Sequence, residues 1–159
     1  MKAVVFSKTT VFFGLHDSVY PDIRIFMTIL KQLQDAQHPL ISVEFFPPKT
    51  DNGRTAFTNT SNELQQLAPD FVSVTCGAGG TATGPTLEVC SELTEMGYGS
   101  VMPHVTCVGR SSNEVLGSID TFVDQGFSNF MALRGDPPKG ERHFKPAPDG
   151  FHYATELVA

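Results

Sequence analysis

The chain has 159 residues, of which 40% are hydrophobic and 18% are charged, a composition typical of a folded globular domain. Seventeen acidic against eleven basic residues give a net charge of −6. Lys and Arg form no cluster that could follow a phosphate backbone, which disfavours nucleic acid as a partner. We therefore expect a small molecule as the partner, and no nucleic acid.

Three cysteines, Cys76, Cys90 and Cys107, are spread widely through apolar stretches. An odd number of cysteines without a paired spacing favours reduced thiols, as in a cytoplasmic protein, over a disulfide framework. No apolar run reaches the roughly 20 residues that span a bilayer. We therefore expect a cytoplasmic protein without a membrane partner.

The first 40 residues divide into two parts. Residues 1–20 are rich in Val, Phe and Thr without clean periodicity, and they stay unplaced as an N-terminal extension. Within residues 21–40, apolar side chains recur at helical spacing, with Pro21 near the start and Pro39 just beyond the end. This pattern predicts a leading amphipathic helix over 21–37.

Beyond residue 40, strands and helices alternate. Four apolar runs begin at residues 41, 71, 101 and 129, and a separation of about 30 residues fits one strand, one loop, one helix and a return loop. The predicted strands are 41–46, 71–76, 101–107 and 129–134, and the predicted helices are 54–68, 84–97, 112–126 and one that begins at Phe151.

Strands that alternate with helices at this spacing pair in parallel, with right-handed crossovers. One face of each of the first three strands is polar or small, as at Glu44, Ser73 and His104, while the other face is apolar. Helices cover both faces of a doubly wound sheet, so both should be apolar, whereas the inner face of a barrel can be polar near its mouth. The sequence therefore predicts an α/β fold, a partial parallel β/α (TIM) barrel of about four units over 41–159.

Glu44 stands near the end of the first predicted strand, within Val-Glu-Phe-Phe-Pro-Pro. Its apolar neighbours offer little solvation, which suits a general acid that keeps its proton near neutral pH. The alternative is a structural glutamate paired with an arginine or lysine elsewhere in the chain. Residue type alone leaves both interpretations open.

Arg134, Gly135 and Asp136 follow the fourth predicted strand. Gly135 permits close approach of the backbone, and the two following prolines stiffen the turn, so both charged side chains are predicted to face the mouth of the barrel. The alternatives for this Arg-Gly-Asp tripeptide are a cell-attachment motif or a surface ion pair. Reduced cysteines argue against adhesion.

Residues 77–82, Gly-Ala-Gly-Gly-Thr-Ala, match the dinucleotide-binding pattern G-x-G-x-x-A. The acidic residue expected after the next strand is missing, so we interpret these glycines as a tight loop lining a ligand. His104 and Cys107 are three residues apart on one strand and therefore point to opposite faces, so we predict no metal site. His104 either donates a hydrogen bond to a ligand or is a buried, satisfied histidine.

Four motifs, in this order and spacing, resemble those of the methylenetetrahydrofolate reductase family, flavoenzymes built on a β/α barrel. They are VEFFPPKT (43–50), FVSVTCGAGG (71–80), PHVTC (103–107) and ALRGDPPKG (132–140). The likeness covers the first half of that family's catalytic domain. It implies FAD as cofactor, NADH or NADPH as reductant, and reduction of 5,10-methylenetetrahydrofolate to 5-methyltetrahydrofolate.

The resemblance also implies roles for particular residues. Glu44 corresponds to the general acid that protonates the folate N10, which favours opening of the ring to an iminium that accepts hydride. Asp136 corresponds to an aspartate near the flavin and the pterin, and Thr75 to a residue at the face shared by nicotinamide and folate. The other cofactor-binding positions that it implies are Ala78, His104, Arg134, Gly135, Tyr153 and Ala154.

Half a barrel is expected to expose surface that a whole barrel buries. Four strands should leave two unpaired edges and an uncovered inner face, so we expect this chain to associate as a homo-oligomer. Two further interpretations stay open: an inert half-barrel fragment, and a flavin-free barrel enzyme that uses Glu44 and Asp136 as an acid/base pair.

Overall fold

The computed structural model describes residues 2–7, 10–14, 29–76, 83–137, 140–141 and 143–159, the first two ranges by their backbone only. In chain order, the elements are β1 (Lys2–Ser7), β2 (Thr10–Gly14), α1 (Ile29–Asp35), β3 (Ser42–Phe45), α2 (Asp51–Gln65), β4 (Phe71–Val74), α3 (Thr83–Glu95), β5 (Val101–Thr106), α4 (Ser112–Asp124), β6 (Asn129–Leu133) and α5 (Ala154–Val158). Every strand and helix predicted beyond residue 40 is confirmed, with its ends shifted by three residues or fewer. Of the predicted leading helix, α1 is the described part, and residues 21–28 lie outside the described residues.

The strands form one sheet in the order β1-β2-β6-β5-β4-β3. β3, β4, β5 and β6 pair in parallel, each with the next one in the sequence. The α/β class and the parallel pairing that the spacing predicts are therefore confirmed. None of the described helices has the length and apolar character needed to cross a membrane.

β1 and β2 form an antiparallel hairpin at the other side of the sheet. β2 pairs antiparallel with β6, from Thr10 opposite Leu133 to Gly14 opposite Asn129. The expectation of two unpaired edges is therefore wrong at β6, because β2 takes up its outer edge. Among the described strands, β3 is the last one on its side of the sheet.

The apolar face of the parallel strands packs against the helices. Strand and helix side chains in this core include Val72, Val74, Val105, Phe130, Ala132, Val89, Leu93, Val115, Ile119 and Phe122. The ring of Phe122 meets those of Phe127 and Phe130 edge-on, at centroid distances of 6.0 and 6.2 Å. Burial of one such side chain contributes about 1.5–3 kcal/mol to the free energy of folding. Packing on this face therefore stabilises the sheet, and the polar groups lie on the opposite face.

The opposite face is polar, and its burial differs from strand to strand. Ser73, His104 and Thr106 on the central strands are buried, whereas Ser42 and Glu44 on β3 are exposed. The expectation of an uncovered inner face is therefore wrong for β4 and β5. For β3, at the edge of the sheet, the expectation is met.

Two helices that follow these strands begin with side-chain caps. Thr50 Oγ1 accepts a hydrogen bond from the Gly53 N–H at 3.1 Å before α2. Ser111 and Glu114 form a reciprocal capping box before α4. Each cap contributes about 1 kcal/mol, and together they fix where the chain turns after β3 and β5.

Candidate active site

The candidate residues Glu44, Thr75, His104 and Arg134 gather where the parallel strands end. Because neighbouring parallel strands end at the same edge of a sheet, their terminal residues become neighbours in space. Glu44 on β3 lies opposite Ser73 on β4, which in turn lies opposite Met102 on β5. His104 is two residues beyond Met102 and so shares the same face. The register therefore brings Glu44 and His104 onto one polar surface.

Glu44 and His104 are in contact. His104 Nε2 lies 3.4 Å from Glu44 Oε2, with 6% of the His104 side chain and 46% of the Glu44 side chain exposed. Burial lowers the pKa of His104 to about 4, so the imidazole is neutral at pH 7 and the contact is not an ion pair. Since 3.4 Å exceeds the usual N–H···O length, the buried Nε2 has no hydrogen-bond partner among the described residues.

The surroundings of Glu44 correct one expectation from the sequence. Phe45 turns to the other face, where its ring meets those of Phe57 and Tyr98, and Phe46 is 68% exposed. Alternate residues of a strand point to opposite faces, so these apolar neighbours do not remove the carboxylate from water. The described contacts place His104 beside it, and not the arginine or lysine that a structural role would require.

Thr75 directly follows β4 and joins the ends of two strands. Its N–H donates to the Phe45 carbonyl at 3.0 Å, and its own carbonyl accepts from Thr86 Oγ1 on α3 at 3.1 Å. These bonds hold Thr75 beside the end of the strand that carries Glu44. The glycine pattern over 77–82, and with it Ala78, lies outside the described residues.

Gly135 forms a tight turn immediately after β6. Its φ of +86° is one that side-chain-bearing residues rarely adopt. A Cβ at this position would lie 2.5 Å from Val108 Cγ1. The turn after β6 therefore packs directly on the loop after β5, a close approach that the sequence predicted from this glycine. Asp136, the next residue, is exposed.

The guanidinium group of Arg134 lies over an aromatic ring that the sequence did not single out. Its guanidinium carbon is 4.9 Å from the ring centroid of Phe144, a distance at which the ring face attracts a cation. The Nε atom of Arg134 is buried and has no hydrogen-bond partner among the described residues. The sequence shows Phe144 as an aromatic residue within a Pro- and Gly-rich loop. This pattern does not indicate that it contacts Arg134.

The two candidate residues at the start of α5 differ in their surroundings. Tyr153 is 52% exposed, whereas Ala154 is completely buried in the core with Leu157. α5 packs beside β2 and β6. Tyr153 thus lies at the surface, whereas Ala154 lies in the core.

His104 and Cys107 point to opposite faces of the sheet, as predicted. Cys107 is buried in the core, and burial, with a smaller effect from Glu156, raises its pKa to about 11. The described part of the chain holds no group of three or more His, Cys, Asp or Glu side chains arranged to bind a metal ion. All three cysteines are unpaired.

The buried imidazole of His104 predicts a pH dependence of stability. Its pKa falls from an ordinary 6.5 to about 4 on folding, so the unfolded chain binds more protons between these values. Stability that is present above pH 6.5 is therefore lost as the pH falls towards 4. Between pH 7 and pH 5, the loss from this group should be about 2 kcal/mol.

Urea unfolding at both pH values measures this loss. His104→Gln should remove it, while His152→Gln, at an exposed histidine, should leave it in place. If the free energy of unfolding changed equally between the two pH values in all three proteins, His104 would not be buried in its neutral form.

A parallel α/β sheet with a carboxylate and a neutral imidazole in contact at its strand ends defines a protein of the β/α class, in which ligands bind at that edge. Residues 29–159 match the model of the family described as Methylenetetrahydrofolate reductase. The chain belongs to this family.

Named relatives agree with this assignment. The chain is 33% identical over 129 residues to "Methylenetetrahydrofolate reductase (NADH) 1" of Arabidopsis thaliana, which covers 81% of the chain and 22% of that protein. It is 34% identical over 118 residues to "5,10-methylenetetrahydrofolate reductase" of Salmonella typhimurium, which covers 74% of the chain and 38% of that protein. The chain therefore spans well under half the length of these relatives.

Proposed function

We propose that this chain carries the first half of an active site that reduces 5,10-methylenetetrahydrofolate to 5-methyltetrahydrofolate, with NADH or NADPH as reductant and FAD as cofactor. The observation that carries the proposal is the Glu44–His104 contact at the strand ends, in a chain that belongs to the family. The reaction is the one for which these relatives are named, the reduction of methylenetetrahydrofolate. We also propose a cytoplasmic location, which the three unpaired cysteines favour.

The architecture that we propose for this site is a partial β/α barrel. The parallel strands follow one another across the sheet in chain order, whereas a doubly wound sheet reverses its order at a switch point. One face of these strands is apolar and packed on helices, and the other carries Glu44, Ser73, His104 and Thr106. A barrel explains both features, because its inner face can be polar near the mouth.

The residues after β6 fit an anionic, phosphate-bearing cofactor such as FAD. Arg134 has a buried Nε without a hydrogen-bond partner among the described residues, and arginine is well suited to phosphate oxygens. Gly135, which has no side chain, lets the turn that carries Arg134 pack directly on Val108. When bound, FAD supplies hydride transfer between the nicotinamide and the folate.

The protein side chains have separate tasks in this proposal. The exposed carboxyl group of Glu44 can take up a proton from water and donate it to the folate N10. Asp136 can accept hydrogen bonds from the pterin amine. Thr75, held by one backbone hydrogen bond to Phe45, would contribute to the face shared by nicotinamide and folate. The aromatic ring of Phe144 holds the guanidinium of Arg134 in place.

Absorbance spectroscopy tests the proposal on the purified chain. Addition of FAD should give a bound flavin that NADH or NADPH bleaches, and methylenetetrahydrofolate should then restore the colour. Parallel titrations with the two nucleotides decide which one is the reductant. A folded chain that binds no FAD would contradict the cofactor assignment for this chain.

A second candidate is a catalytically inert half-barrel that associates with a second copy. Three large apolar side chains are exposed near the edge strand β3: Ile41 at 54%, Phe46 at 68% and Leu67 at 59%. An unpaired edge strand beside exposed apolar groups is a surface on which copies of a chain associate.

Sedimentation equilibrium tests this second candidate. The average mass of the wild-type chain should rise with concentration, and the double change Phe46→Ser, Leu67→Ser should weaken association at least about tenfold, since each buried apolar side chain contributes about 1.5–3 kcal/mol. Leu116→Ser removes an exposed leucine on α4 and should have no effect. Equal association of all three proteins would place the contact elsewhere.

A further inference from the structure

We propose that His104 is a positioning residue, which holds the carboxyl group of Glu44 at the strand edge in both of its protonation states. This inference rests on the proposed function, in which Glu44 is the proton donor. The family resemblance alone implies that His104 binds the cofactor, and this inference adds a second role.

The geometry of the pair supports this role. Nε2 of His104 is buried, has no hydrogen-bond partner among the described residues, and lies 3.4 Å from Glu44 Oε2. A buried polar atom left without a partner costs about 1–3 kcal/mol. A small rotation of the exposed glutamate brings its oxygen within hydrogen-bond distance, so the buried ring attracts the carboxyl group towards one orientation.

The side chains of His104 and Glu44 differ in conformational freedom. His104 lies on β5, whose residues are all buried, with Val105 in the core on the other face. Glu44 lies on an edge strand and is half exposed, so its side chain has several rotamers in water. Proton transfer requires the acid within hydrogen-bond reach of its target. The fixed imidazole therefore supplies the orientation that the glutamate lacks.

A neutral imidazole is suited to a partner that gains and loses a proton. In one tautomer, Nε2–H donates to the glutamate carboxylate, and in the other, the bare Nε2 accepts the O–H of the carboxylic acid. Lysine and arginine only donate, so they would favour the charged form and oppose protonation of the acid. Burial keeps this histidine neutral at pH 7, with a pKa of about 4.

Other ionisable groups near this edge have contacts of their own. The Cys76 thiol, after β4, accepts a hydrogen bond from Thr106 Oγ1 at 3.7 Å. The Arg134 guanidinium, after β6, lies over Phe144. Asp136, after β6, is exposed, and Glu44 is the acid that the described contacts place against His104.

Nitrogen NMR of the labelled chain, without flavin or folate, tests the contact. As the pH is lowered, the His104 Nε2 signal should change from the pyrrole-like to the pyridine-like range. Protonation of the ring itself gives a different pattern, in which both nitrogens carry hydrogen. Glu44→Gln should remove the tautomer change, and Glu63→Gln, at an exposed glutamate on α2, should keep it. Identical His104 titrations in wild type and Glu44→Gln would overturn the proposal.

Two substitutions test its consequence for turnover. The amide of His104→Gln can reach the position of Nε2, whereas that of His104→Asn reaches only the position of Nδ1. The variants are compared at equal flavin occupancy, measured by absorbance. In His104→Asn, kcat should fall about tenfold to a hundredfold while KM is unchanged. In His104→Gln, kcat should recover. Equal kcat values in these two variants would count against positioning. If the wild type itself reduces no folate, the proposed function fails, and the NMR result still decides whether His104 holds Glu44.

Discussion

Replacement of Glu44 by glutamine is expected to abolish folate reduction while flavin binding is unchanged. Glutamine has nearly the same size and still forms hydrogen bonds, but it cannot give a proton to the folate N10. General acids contribute about 10²–10⁴-fold to such rates, so turnover should fall by at least about a hundredfold. Glu44 is exposed at the edge of the sheet, so the free energy of unfolding should change by less than about 0.5 kcal/mol.

Stopped-flow absorbance separates the two halves of the reaction. Bleaching of bound flavin by NADH or NADPH does not require a proton donor to folate, so its rate in Glu44→Gln should match that of wild type. The recovery of colour on addition of methylenetetrahydrofolate should be lost. Glu63→Gln, on the outer surface of α2, should behave as wild type. Folate reduction at the wild-type rate in Glu44→Gln would remove this residue from the proposed role.

The parallel sheet could be predicted because its signals are local. Each strand is a short apolar run that ends in polar residues, and each helix lies between two runs at a regular spacing. The alternation of Val72 and Val74 with Ser73 also predicted which face packs on helices, and both valines are completely buried. Patterns of this kind need no knowledge of distant parts of the chain.

The hairpin of β1 and β2 could not be predicted, because its position depends on a distant partner. β2 pairs with β6, more than a hundred residues further along the chain. Residues 2–14 show neither strict alternation nor a two-residue glycine turn, the local signals that indicate a hairpin. The edge of β6 therefore looked unpaired when only the parallel strands were considered.

Within the site, type and position of residues were predictable, but not their surroundings. Glu44 and His104 could be assigned to one polar face, yet their contact depends on strand register and on the freedom of an edge residue. The exposure of Glu44 was missed because Phe45 and Phe46 are neighbours only in sequence. Likewise, Ala154 lies in a helix that was predicted to begin at Phe151, but its burial depends on packing that the sequence does not show.

Gly135→Ala is expected to destabilise the chain and to impair flavin binding together. Gly135 has a φ of +86°, and a residue with a Cβ in a left-handed conformation costs about 1–2 kcal/mol. The new methyl group would also lie 2.5 Å from Val108 Cγ1 and 2.8 Å from Val108 Cβ. Overpacking of this kind costs about 1–3 kcal/mol, so the total loss should be about 2–5 kcal/mol.

The functional part of this effect follows from the place of Gly135 between two charged residues. If the turn moves away from Val108 to relieve the overlap, Arg134 and Asp136 move with it, and affinity for FAD should fall at least about tenfold. Urea unfolding and a flavin titration on the same preparations measure both effects. Gly117→Ala is the matched control, because its Cβ would meet nothing within 4 Å on α4, and alanine there should stabilise the helix by about 0.5–1 kcal/mol. If Gly135→Ala destabilised the chain but bound FAD with wild-type affinity, the turn would not contribute to FAD binding. Gly135 would then have a purely structural role.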